Sequence, residues 1–467
     1  MTSVNECPVA HGSAATDIGS GESRPIPGNY DRIGIRTAID FQRNGILEII
    51  ERMWREHGDI SELRVAAKRI VVLAHPDHAR AVNVERMDKY TKGPSYDGAR
   101  TLLIGDGLVT SVGREWKEQR KMLSPFFTPK AVRGYAPLMM EDAEWFARRW
   151  EGRAGSHEPV EMLSEMAALT ASIILKSLFS TTAQDVREQL QDAVETMIQY
   201  TSGRQLNRFR PPEWVPTPAR HEYEVARQRL DEFVLHVIAE RRKLPADQRP
   251  ADLLSQIMSS ETTLSDKLLR DQCVTMLIAG HESTARTLAF VWYVLATNPE
   301  VAATLHDEVD ALPQDISLED LKDAPYTLGV IKETLRLYPP APIYLRDVVA
   351  DDQFGPYTVK AGSTVLVAPY FTHRHRDFWS DPEKFDPQRW MNDAEYGMHP
   401  YAYHPFAGGN RVCIGKNFTF METHLLVILL ARRFAPVTVP NYRPQWRMRG
   451  VLGPDNGLPM MMRGRAK

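Results

Sequence analysis

Apolar residues recur at intervals near 3.6 along most of the chain, which is the pattern of helices with one buried face. The alternation of apolar and polar positions that marks a strand is confined to short runs, such as 69–74 and 363–367. The pattern therefore predicts a mainly α fold with small β-sheets. Predicted helices cover residues 45–57, 136–150, 162–179, 185–200, 219–242, 267–297 and 328–338.

The same pattern suggests how the chain is organised. A proline-rich stretch, 208–218, must interrupt helices because proline removes a backbone donor, and we expect a mobile lid loop there. No long Gly/Ser linker divides the 467 residues, so residues 41–467 are predicted to form a single domain. The preceding segment, 1–40, begins polar and rich in Gly, Ser and Pro and is predicted to be flexible.

Composition narrows the class of protein and its compartment. Hydrophobic residues make up 43% and charged residues 25%, as in soluble globular proteins, and a net charge of −3 indicates no nucleic-acid partner. The N-terminal segment lacks the regions of an export signal, and the apolar runs fall short of the roughly 18 residues that span a bilayer. We therefore expect no membrane anchor. Three scattered cysteines exclude a disulfide framework, which favours a cytoplasmic protein.

The most informative stretch for chemistry, 406–415, reads Phe-Ala-Gly-Gly-Asn-Arg-Val-Cys-Ile-Gly. Gly408 and Gly409 are expected to take positive φ and turn the backbone. Cys413 is predicted to lie at the start of a long apolar helix that runs to Leu430. Free backbone N–H groups and the helix dipole favour a thiolate there, and a thiolate can hold iron. For a cysteine taken alone, the alternative is an inert buried side chain.

Arg411 in this stretch is suited to pair with a carboxylate, and Phe406 to lie against a flat ring. The string F-x-x-G-x-R-x-C-x-G resembles the cysteine-ligand signature of the cytochrome P450 superfamily, and every fixed position is filled, ending at Gly415. The resemblance implies haem b with the Cys413 thiolate as its axial ligand. It also implies the cytochrome P450 fold, a triangular prism of helices with haem between a long oxygen-binding helix and the cysteine loop.

A second motif lies near the middle of the helix predicted at 267–297 and reads Ala279-Gly280-His281-Glu282-Ser283-Thr284. Small residues there let a flat ligand approach, and the Ser283 hydroxyl can bond back to the Ala279 carbonyl and locally loosen the helix. The motif resembles the oxygen-activating motif of the family. That resemblance assigns proton relay to Glu282 and its steering to Ser283, where relatives usually carry threonine, with Thr284 as a further candidate.

This second motif also has a plain structural interpretation. Small residues on an amphipathic helix commonly mark a helix crossing. His281 is turned about 100° from Gly280 around the helix, so we expect it to be a structural or surface histidine and not an iron ligand.

Glu333 and Arg336 form an E-x-x-R pair, which on most helices is a surface ion pair. In the cytochrome P450 family this pair joins an arginine from a later P-x-R segment in a buried triad. The segment Phe-Asp-Pro-Gln-Arg-Trp that ends at Trp390 fits, although glutamine and tryptophan replace the commoner glutamate and phenylalanine. The resemblance therefore assigns Glu333, Arg336 and Arg389 to folding and haem retention.

Trp116 and Arg120 stand four residues apart, which places both on one face of a helix. They resemble the W-x-x-x-R motif of the family, with a solvated helix face as the alternative. The resemblance implies that this pair, together with Arg346 and Arg411, binds the two haem propionates. Indole N–H and guanidinium groups are suited to carboxylate oxygens.

Two further patterns have competing interpretations. Five basic residues near this helix either dock an acidic electron carrier or form a solvated face: Arg114, Lys117, Lys121, Lys130 and Arg133. His373 and His375 have the spacing of metal ligands. No further convincing ligand set accompanies them, and zinc normally takes four ligands, so no second metal is predicted.

The motifs follow the order of the family over nearly the whole chain, and this implies a monooxygenase that uses dioxygen and two electrons. No flavin or nicotinamide fingerprint is visible, so we expect electrons from a separate ferredoxin or flavodoxin with an NAD(P)H-dependent reductase. A mostly apolar pocket is expected to hydroxylate or epoxidise a lipophilic small molecule. Alternatives are a peroxide-driven peroxygenase, a redox-independent haem-thiolate isomerase or dehydratase, and a non-enzymatic haem-binding sensor.

Overall fold

A computed structural model describes residues 24–29, 35–65, 68–154, 158–180, 184–206, 212, 214–260, 264–392 and 395–465. The segment predicted to be flexible, 1–40, lies mostly outside the described residues. So does much of the proline-rich stretch predicted to form a lid, 208–218.

Helices account for most of the described residues, as the apolar pattern predicts. In chain order they are α1 (Ile35–Asn44), α2 (Ile46–His57), α3 (Pro76–Arg80), α4 (Asp97–Ala99), α5 (Gly113–Leu123), α6 (Pro129–Arg133), α7 (Ala136–Glu151), α8 (Met162–Phe179), α9 (Gln184–Leu206), α10 (Pro218–Lys243), α11 (Leu253–Met258), α12 (Asp266–Thr297), α13 (Pro299–Ala311), α14 (Pro325–Leu337), α15 (Pro369–Thr372) and α16 (Lys416–Ala431). Each of the seven helices predicted from periodicity is present.

The strands are short, and most lie in two sheets. They are β1 (Gly28–Asn29), β2 (Ile60–Val65), β3 (Lys68–Leu73), β4 (Tyr90–Thr91), β5 (Val160–Glu161), β6 (Tyr344–Val348), β7 (Asp352–Phe354), β8 (Tyr357–Val359), β9 (Thr364–Val367), β10 (Phe434–Thr438), β11 (Trp446–Arg449), β12 (Val451–Pro454) and β13 (Pro459–Gly464). The largest sheet has the order β1-β2-β3-β9-β6-β4, and a second has the order β10-β13-β5. The pairs β7-β8 and β11-β12 complete the strands.

The long helix α12 lies at the centre and packs against α8, α10, α14 and α16. Near its C-terminal end the Trp292 ring meets the Trp150 ring edge to face, with centroids 5.7 Å apart. Nearer the middle, the Thr170 hydroxyl of α8 donates to the His281 carbonyl at 3.1 Å. Because α12 is covered on several sides, its position is fixed along the whole stretch that carries the second motif.

Helix α8 corrects one expectation. Its 18 residues are apolar enough, by length and composition, to cross a bilayer, whereas the sequence pattern indicated shorter apolar runs. Of this helix 72% is buried inside the protein. A helix that is apolar on all sides and covered by its neighbours is typical of a globular core.

Candidate active site

The loop before α16 is shaped by two positive φ angles and by lack of space. Ala407 has φ 57° and Gly409 has φ 59°. Gly408 is extended, with φ −161°, so the prediction of positive φ there is wrong. It is nevertheless confined, because a Cβ atom on Gly408 would lie 2.1 Å from the Tyr401 hydroxyl. A Cβ atom on Gly409 would lie 1.9 Å from the Asn83 carbonyl oxygen.

This close packing turns the chain just ahead of Cys413. The Cys413 backbone N–H donates to the Phe406 carbonyl at 2.9 Å and closes the loop. Helix α16 begins at Lys416, three residues later than predicted. The Cys413 side chain is open to solvent although it lies deep among protein atoms. An open thiol at such depth is accessible to a ligand.

Several groups act on the charge of this thiol. Burial raises the pKa of Cys413. Two kinds of group oppose that effect: backbone N–H groups, at Gly415 and Lys416, and cationic side chains, at Arg120 and Lys92. The N–H groups at the helix end thus lower the pKa of Cys413, as predicted, but burial raises that pKa by more. Coordination of a metal ion would deprotonate the sulfur outright.

Four cationic side chains from distant parts of the chain meet beside this loop, and we call them the cation cluster: Lys92, Arg120, Arg346 and Arg411. Each donates to one backbone carbonyl, with Lys92 Nζ 3.0 Å from Val109 O, Arg120 Nη1 2.9 Å from Val412 O, Arg346 Nη1 2.8 Å from Leu345 O, and Arg411 Nη1 3.1 Å from Ser111 O. The Arg411 guanidinium also stacks over the Trp116 ring at 3.9 Å. The structure thereby brings together all four residues predicted to bind propionates.

Lys92 was not predicted. It follows β4 in the chain, and its ammonium lies 4.8 Å from the centre of the Tyr96 ring. Nothing in the nearby sequence links it to the other three cations, since Arg346 and Arg411 are more than 250 positions away and only folding brings them close.

The cation cluster is electrostatically unbalanced. Within the part of the chain that the structure describes, none of its members forms an ion pair with a carboxylate. Burial lowers the pKa of Lys92 well below its usual value, and repulsion from Arg346 and Arg411 adds to this. Burial likewise lowers the pKa of Arg411 to about 10. Buried cations of this kind favour an anionic ligand.

On α12 the Ser283 hydroxyl donates to the Ala279 carbonyl at 2.8 Å. The Thr287 hydroxyl donates in turn to the Ser283 carbonyl at 2.9 Å. The helix nevertheless runs without a break from Asp266 to Thr297, so the expected loosening does not interrupt it. Ala279 is exposed at this face, which leaves the helix surface open to a neighbouring group.

Glu282 lies on another face of α12 and pairs with Arg286 one turn later, with Oε1 and Nη2 2.8 Å apart. Both side chains line a cavity of about 650 Å³ between α8, α9, α12 and the β11-β12 hairpin. The lining includes polar and charged groups, among them Glu195 and Arg449. Glu282 therefore has access to a polar cavity, on a face of the helix about 100° from that of Ser283.

Glu333, Arg336 and Arg389, which we call the Glu333 cluster, lie together as the E-x-x-R motif suggests. Glu333 and Arg336 are fully buried and form a two-pronged ion pair with both N–O distances at 2.8 Å. Arg389 Nε approaches Glu333 Oε1 at 3.4 Å. Trp390 Nε1 donates to Glu333 Oε2 at 3.0 Å, so the tryptophan that replaces the commoner phenylalanine adds a hydrogen bond.

Comparison with known proteins identifies the family. The sequence profile of the family described as Cytochrome P450 matches residues 26–457. The chain belongs to the cytochrome P450 family. It is a P450 monooxygenase, and membership implies a haem held by a cysteine thiolate, redox partners and a lipophilic substrate.

Two curated bacterial P450 relatives and one solved structure show how far the likeness extends. Cyclooctat-9-en-7-ol 5-monooxygenase of Streptomyces melanosporofaciens is 34% identical over 85% of this chain and 84% of its own. Pentalenene oxygenase of Streptomyces avermitilis is 28% identical over 82% of this chain and 86% of its own. The crystal structure of the cytochrome P450DA haem domain superposes with TM-score 0.86 and 26% identity, covering 96% of this chain and 99% of that one. The predicted P450 fold is confirmed.

The side chains of this P450 fit a haem. The thiol of Cys413 is accessible, and the cation cluster offers positive charge beside it for two carboxylates. Phe406 and Gly415 lie at either end of the same loop: the Phe406 ring packs against Phe420 with centroids 5.2 Å apart, and the Gly415 N–H faces Cys413 Sγ.

Two residues of the α12 motif have contacts that the motif did not predict. A Cβ atom on Gly280 would lie 3.0 Å from Ile174 Cδ1 of α8, so a larger residue there would press against that side chain. The Thr284 hydroxyl is buried and faces the carboxyl of Glu422 on α16, although neither Thr284 Oγ1 nor Glu422 Oε2 makes a hydrogen bond of ordinary geometry. Burial raises the pKa of Glu422 well above its usual value. Ser283 and Thr284 thus face different surroundings.

His281 is buried, and burial lowers its pKa to about 4. Of the two positions expected for it, structural and surface, it takes the structural one. The five basic residues predicted either to dock a carrier or to be solvated lie on α5 and α6. Arg114 pairs with Glu118 at 2.7 Å, and Arg133 pairs with Glu319. The remaining three are exposed: Lys117, Lys121 and Lys130.

Proposed function

We propose that this P450 binds haem b through the Cys413 thiolate and hydroxylates or epoxidises a lipophilic small molecule. For hydroxylation, one molecule of dioxygen, two electrons and two protons convert a C–H bond into C–OH and release one water. The observation that carries the proposal is the cation cluster beside an accessible thiol. Four cations, of which Arg346 is buried and the other three partly buried, form no ion pair among the described residues and match the two propionates of a haem.

In this proposal each cation has a positioning role. Guanidinium groups can bind a carboxylate through two parallel hydrogen bonds. Arg120, Arg346 and Arg411 each direct one donor atom to a backbone carbonyl, which leaves other N–H groups for a carboxylate. Lys92 adds a fourth charge at the same place. Trp116 holds the Arg411 guanidinium by stacking.

When bound, a thiolate-ligated haem supplies the electron density that promotes cleavage of the dioxygen bond. The chain supplies protons and their direction. Glu282 takes protons from the polar cavity, and its carboxyl is held by Arg286 at 2.8 Å. The Ser283 hydroxyl, anchored on the Ala279 carbonyl, steers their delivery on the other face of the helix. We give Thr284 a lesser role because its hydroxyl faces Glu422.

Electrons come, in this proposal, from a ferredoxin or flavodoxin that an NAD(P)H-dependent reductase keeps reduced. The exposed lysines of α5 and α6 offer positive charge to an acidic carrier, namely Lys117, Lys121 and Lys130. Reduction by the carrier should slow as salt rises, and the Lys117→Gln/Lys121→Gln double variant should lose most of that salt dependence. Reduction indifferent to salt would remove these lysines from docking.

For the substrate we propose a lipophilic small molecule, and the two relatives indicate where a screen should begin. They are named for cyclooctat-9-en-7-ol and pentalenene. Binding of such a compound would change the spin state of a bound haem, which the absorption spectrum would report. We further propose that residues 41–467 form one haem domain that works in the cytoplasm. The family match over 26–457 supports this, and so do Cys273 and Cys413, which are both free in the described part of the chain.

The ligand assignment has a direct test. The reduced carbon monoxide complex should show the red-shifted Soret band of thiolate ligation, and Cys413→His should lose that band. Cys273→Ala is the matched control because Cys273 is fully buried in the packed interior. Retention of the band in Cys413→His would refute the assignment.

The role of Ser283 distinguishes dioxygen from peroxide as the oxidant. With NAD(P)H and redox partners, Ser283→Ala should form less product and more hydrogen peroxide, whereas Ser283→Thr should keep the ratio. An unchanged ratio in Ser283→Ala would exclude the steering role. Turnover with peroxide alone at the full rate would favour a peroxygenase.

A further inference from the structure

A second group of metal-ligating side chains lies outside the haem site. Asp59 follows α2, His75 precedes α3, and His375 follows α15. Each offers one ligand atom, and the three atoms all lie within 4.8 Å of one another. The H-x-H spacing at 373–375 lacked further ligands in the sequence, and the fold supplies two of them from segments about 300 residues away.

The two histidines of that H-x-H pair have different surroundings. His373 is fully buried, with Nδ1 3.1 Å from the Arg336 carbonyl oxygen and Nε2 accepting the His404 backbone N–H at 2.9 Å. Both of its nitrogens are therefore used by the fold. His375 instead directs Nε2 to Asp59 Oδ1 at 3.1 Å, and its ring centroid lies 5.0 Å from that of His75.

We propose that Asp59, His75 and His375 form a binding site for a divalent transition-metal ion, with Zn²⁺ the best match in ligand type. Imidazole and carboxylate are ligands that Zn²⁺ accepts, and Co²⁺ commonly takes the same sites. Three protein ligands leave a fourth position for water. Asp59 and His75 are partly exposed, so an ion can reach the site from solvent.

Groups around the three side chains can hold them in place. Trp54 Nε1 donates to Asp59 Oδ1 at 2.9 Å. Each histidine is followed two residues later by an aspartate, with His75 Nδ1 3.6 Å from Asp77 Oδ2 and His375 Nδ1 4.0 Å from Asp377 Oδ2. A ligating histidine usually donates its second N–H to such a carboxylate.

Binding requires one rearrangement. The backbone N–H groups of Asp77 and Asp377 donate to Nδ1 of His75 and His375, at 3.1 and 3.3 Å. When an ion binds Nε2, the ring proton moves to Nδ1. Nδ1 then becomes a donor, so the ring must turn it away from these N–H groups and toward the aspartate carboxylates. The loss of two hydrogen bonds makes this a site of moderate affinity. The alternative is a hydrogen-bonded cluster that binds no metal and only joins the three segments.

The test uses the full-length, haem-loaded protein and titrates Zn²⁺ by isothermal calorimetry. We expect one equivalent to bind, and His75→Asn, Asp59→Asn and His375→Asn each to weaken binding by at least tenfold. Asp77→Asn should weaken Zn²⁺ binding by about tenfold, as loss of a carboxylate that accepts a hydrogen bond from a ligating histidine usually does. His57→Asn changes a more exposed histidine at the end of α2 and should leave the titration unchanged.

Cobalt gives an independent readout. Co²⁺ should produce visible absorption bands that Zn²⁺ abolishes and that His75→Asn removes, while the carbon monoxide spectrum of the haem shows each variant to be folded. If His375→Asn does not fold, the partly exposed His75 and Asp59 variants decide the question. No binding by the wild-type protein, or unchanged binding in His75→Asn and Asp59→Asn, would overturn the proposal.

Discussion

The Glu333 cluster and the cation cluster both bury arginine, but in opposite electrostatic circumstances. Arg336 directs its N–H groups to five acceptors: two oxygens of Glu333 and the carbonyls of His373, Pro382 and Lys384. Each member of the cation cluster donates to one carbonyl, and among the described residues none meets a carboxylate. Arg336 thus finds its counter-charge and its other acceptors within the protein, whereas the cations of the second cluster find no counter-charge among the described residues.

The difference separates a folding role from a binding role. A buried charge whose partners all lie in the protein contributes to stability only while those partners are present. Removal of one partner leaves the other as an uncompensated buried charge. A buried cation without an acidic partner costs stability, as the lowered pKa of Lys92 shows. That cost is recovered when an anion binds. The predictions below test this contrast.

The largest effect is expected at Glu333. Glu333→Gln leaves the fully buried Arg336 without its counter-charge, and we expect a loss of about 3–5 kcal/mol in the free energy of unfolding. Urea unfolding followed by circular dichroism measures it. Glu383→Gln is the control: Glu383 pairs with Arg374 at 3.2 Å but is 74% exposed, so about 0–1 kcal/mol is expected. Equal losses in the two variants would contradict a special role for the Glu333 cluster.

A smaller loss is expected at Trp390. Trp390→Phe removes the indole N–H that donates to Glu333 Oε2 at 3.0 Å but keeps most of the ring packing. Loss of a hydrogen bond to a charged group should cost about 1.5–3 kcal/mol. In the Glu333→Gln background the same substitution should cost less, because its acceptor is no longer charged. Additive costs in this double-mutant cycle would show that the two residues act separately.

Acid should weaken the Glu333 cluster through its histidine neighbours. His404 donates its backbone N–H to His373, and burial lowers the pKa of His404 to about 3. Its pKa in the unfolded chain is about 6.5, so below that pH the unfolded state binds a proton that the folded state does not. Stability should therefore fall by about 1.4 kcal/mol per pH unit between about 6.5 and 3 for this one group.

His404→Gln should remove the contribution of one proton from the slope of the free energy of unfolding against pH. Denaturant titrations at several pH values measure this slope. The variant is expected to be less stable at pH 7 because it changes a buried side chain, so only the slope is informative. An unchanged slope would mean that His404 does not bind the proton on unfolding.

The smallest effect on folding is expected in the cation cluster. Lys92→Met removes an uncompensated charge, which favours folding, and also the donor to Val109 O, which opposes it. Because the two effects have opposite signs, the free energy of unfolding of the haem-free protein should stay within about 1 kcal/mol of wild type. Haem should nevertheless leave several-fold faster, as transfer to apomyoglobin measures. A large loss of stability with unchanged haem transfer would reverse the roles of the two clusters.

The helices and the chemical class followed from local pattern. Helix α8 occupies the predicted 162–179, because its apolar residues repeat within one continuous segment. The predicted start of α16 was early, because the Cys413 N–H is held by Phe406 and not by a helical turn. The different surroundings of Ser283 and Thr284 agree with helix geometry, since adjacent residues differ by about 100° around the axis.

Other features could not be predicted, because their parts lie far apart in the chain. Lys92 joins Arg346 and Arg411 only after folding, and no local motif marks it. His373 and His375 look alike in sequence, yet one is used by the fold and the other faces Asp59. Gly408 was expected to turn the chain, but the Tyr401 hydroxyl, which fills the space of its Cβ atom, is what requires a glycine.

The sequence alone determined the helical pattern, the cysteine loop and the hydroxyl that bonds back on α12, because these depend on interactions within a few residues. The tertiary structure decided which charges are compensated. Electrostatic interactions depend on distance and burial, and both are set by segments hundreds of residues apart. The contrast between Arg336, with all its acceptors, and Lys92, with a single carbonyl, therefore became visible only in the folded protein.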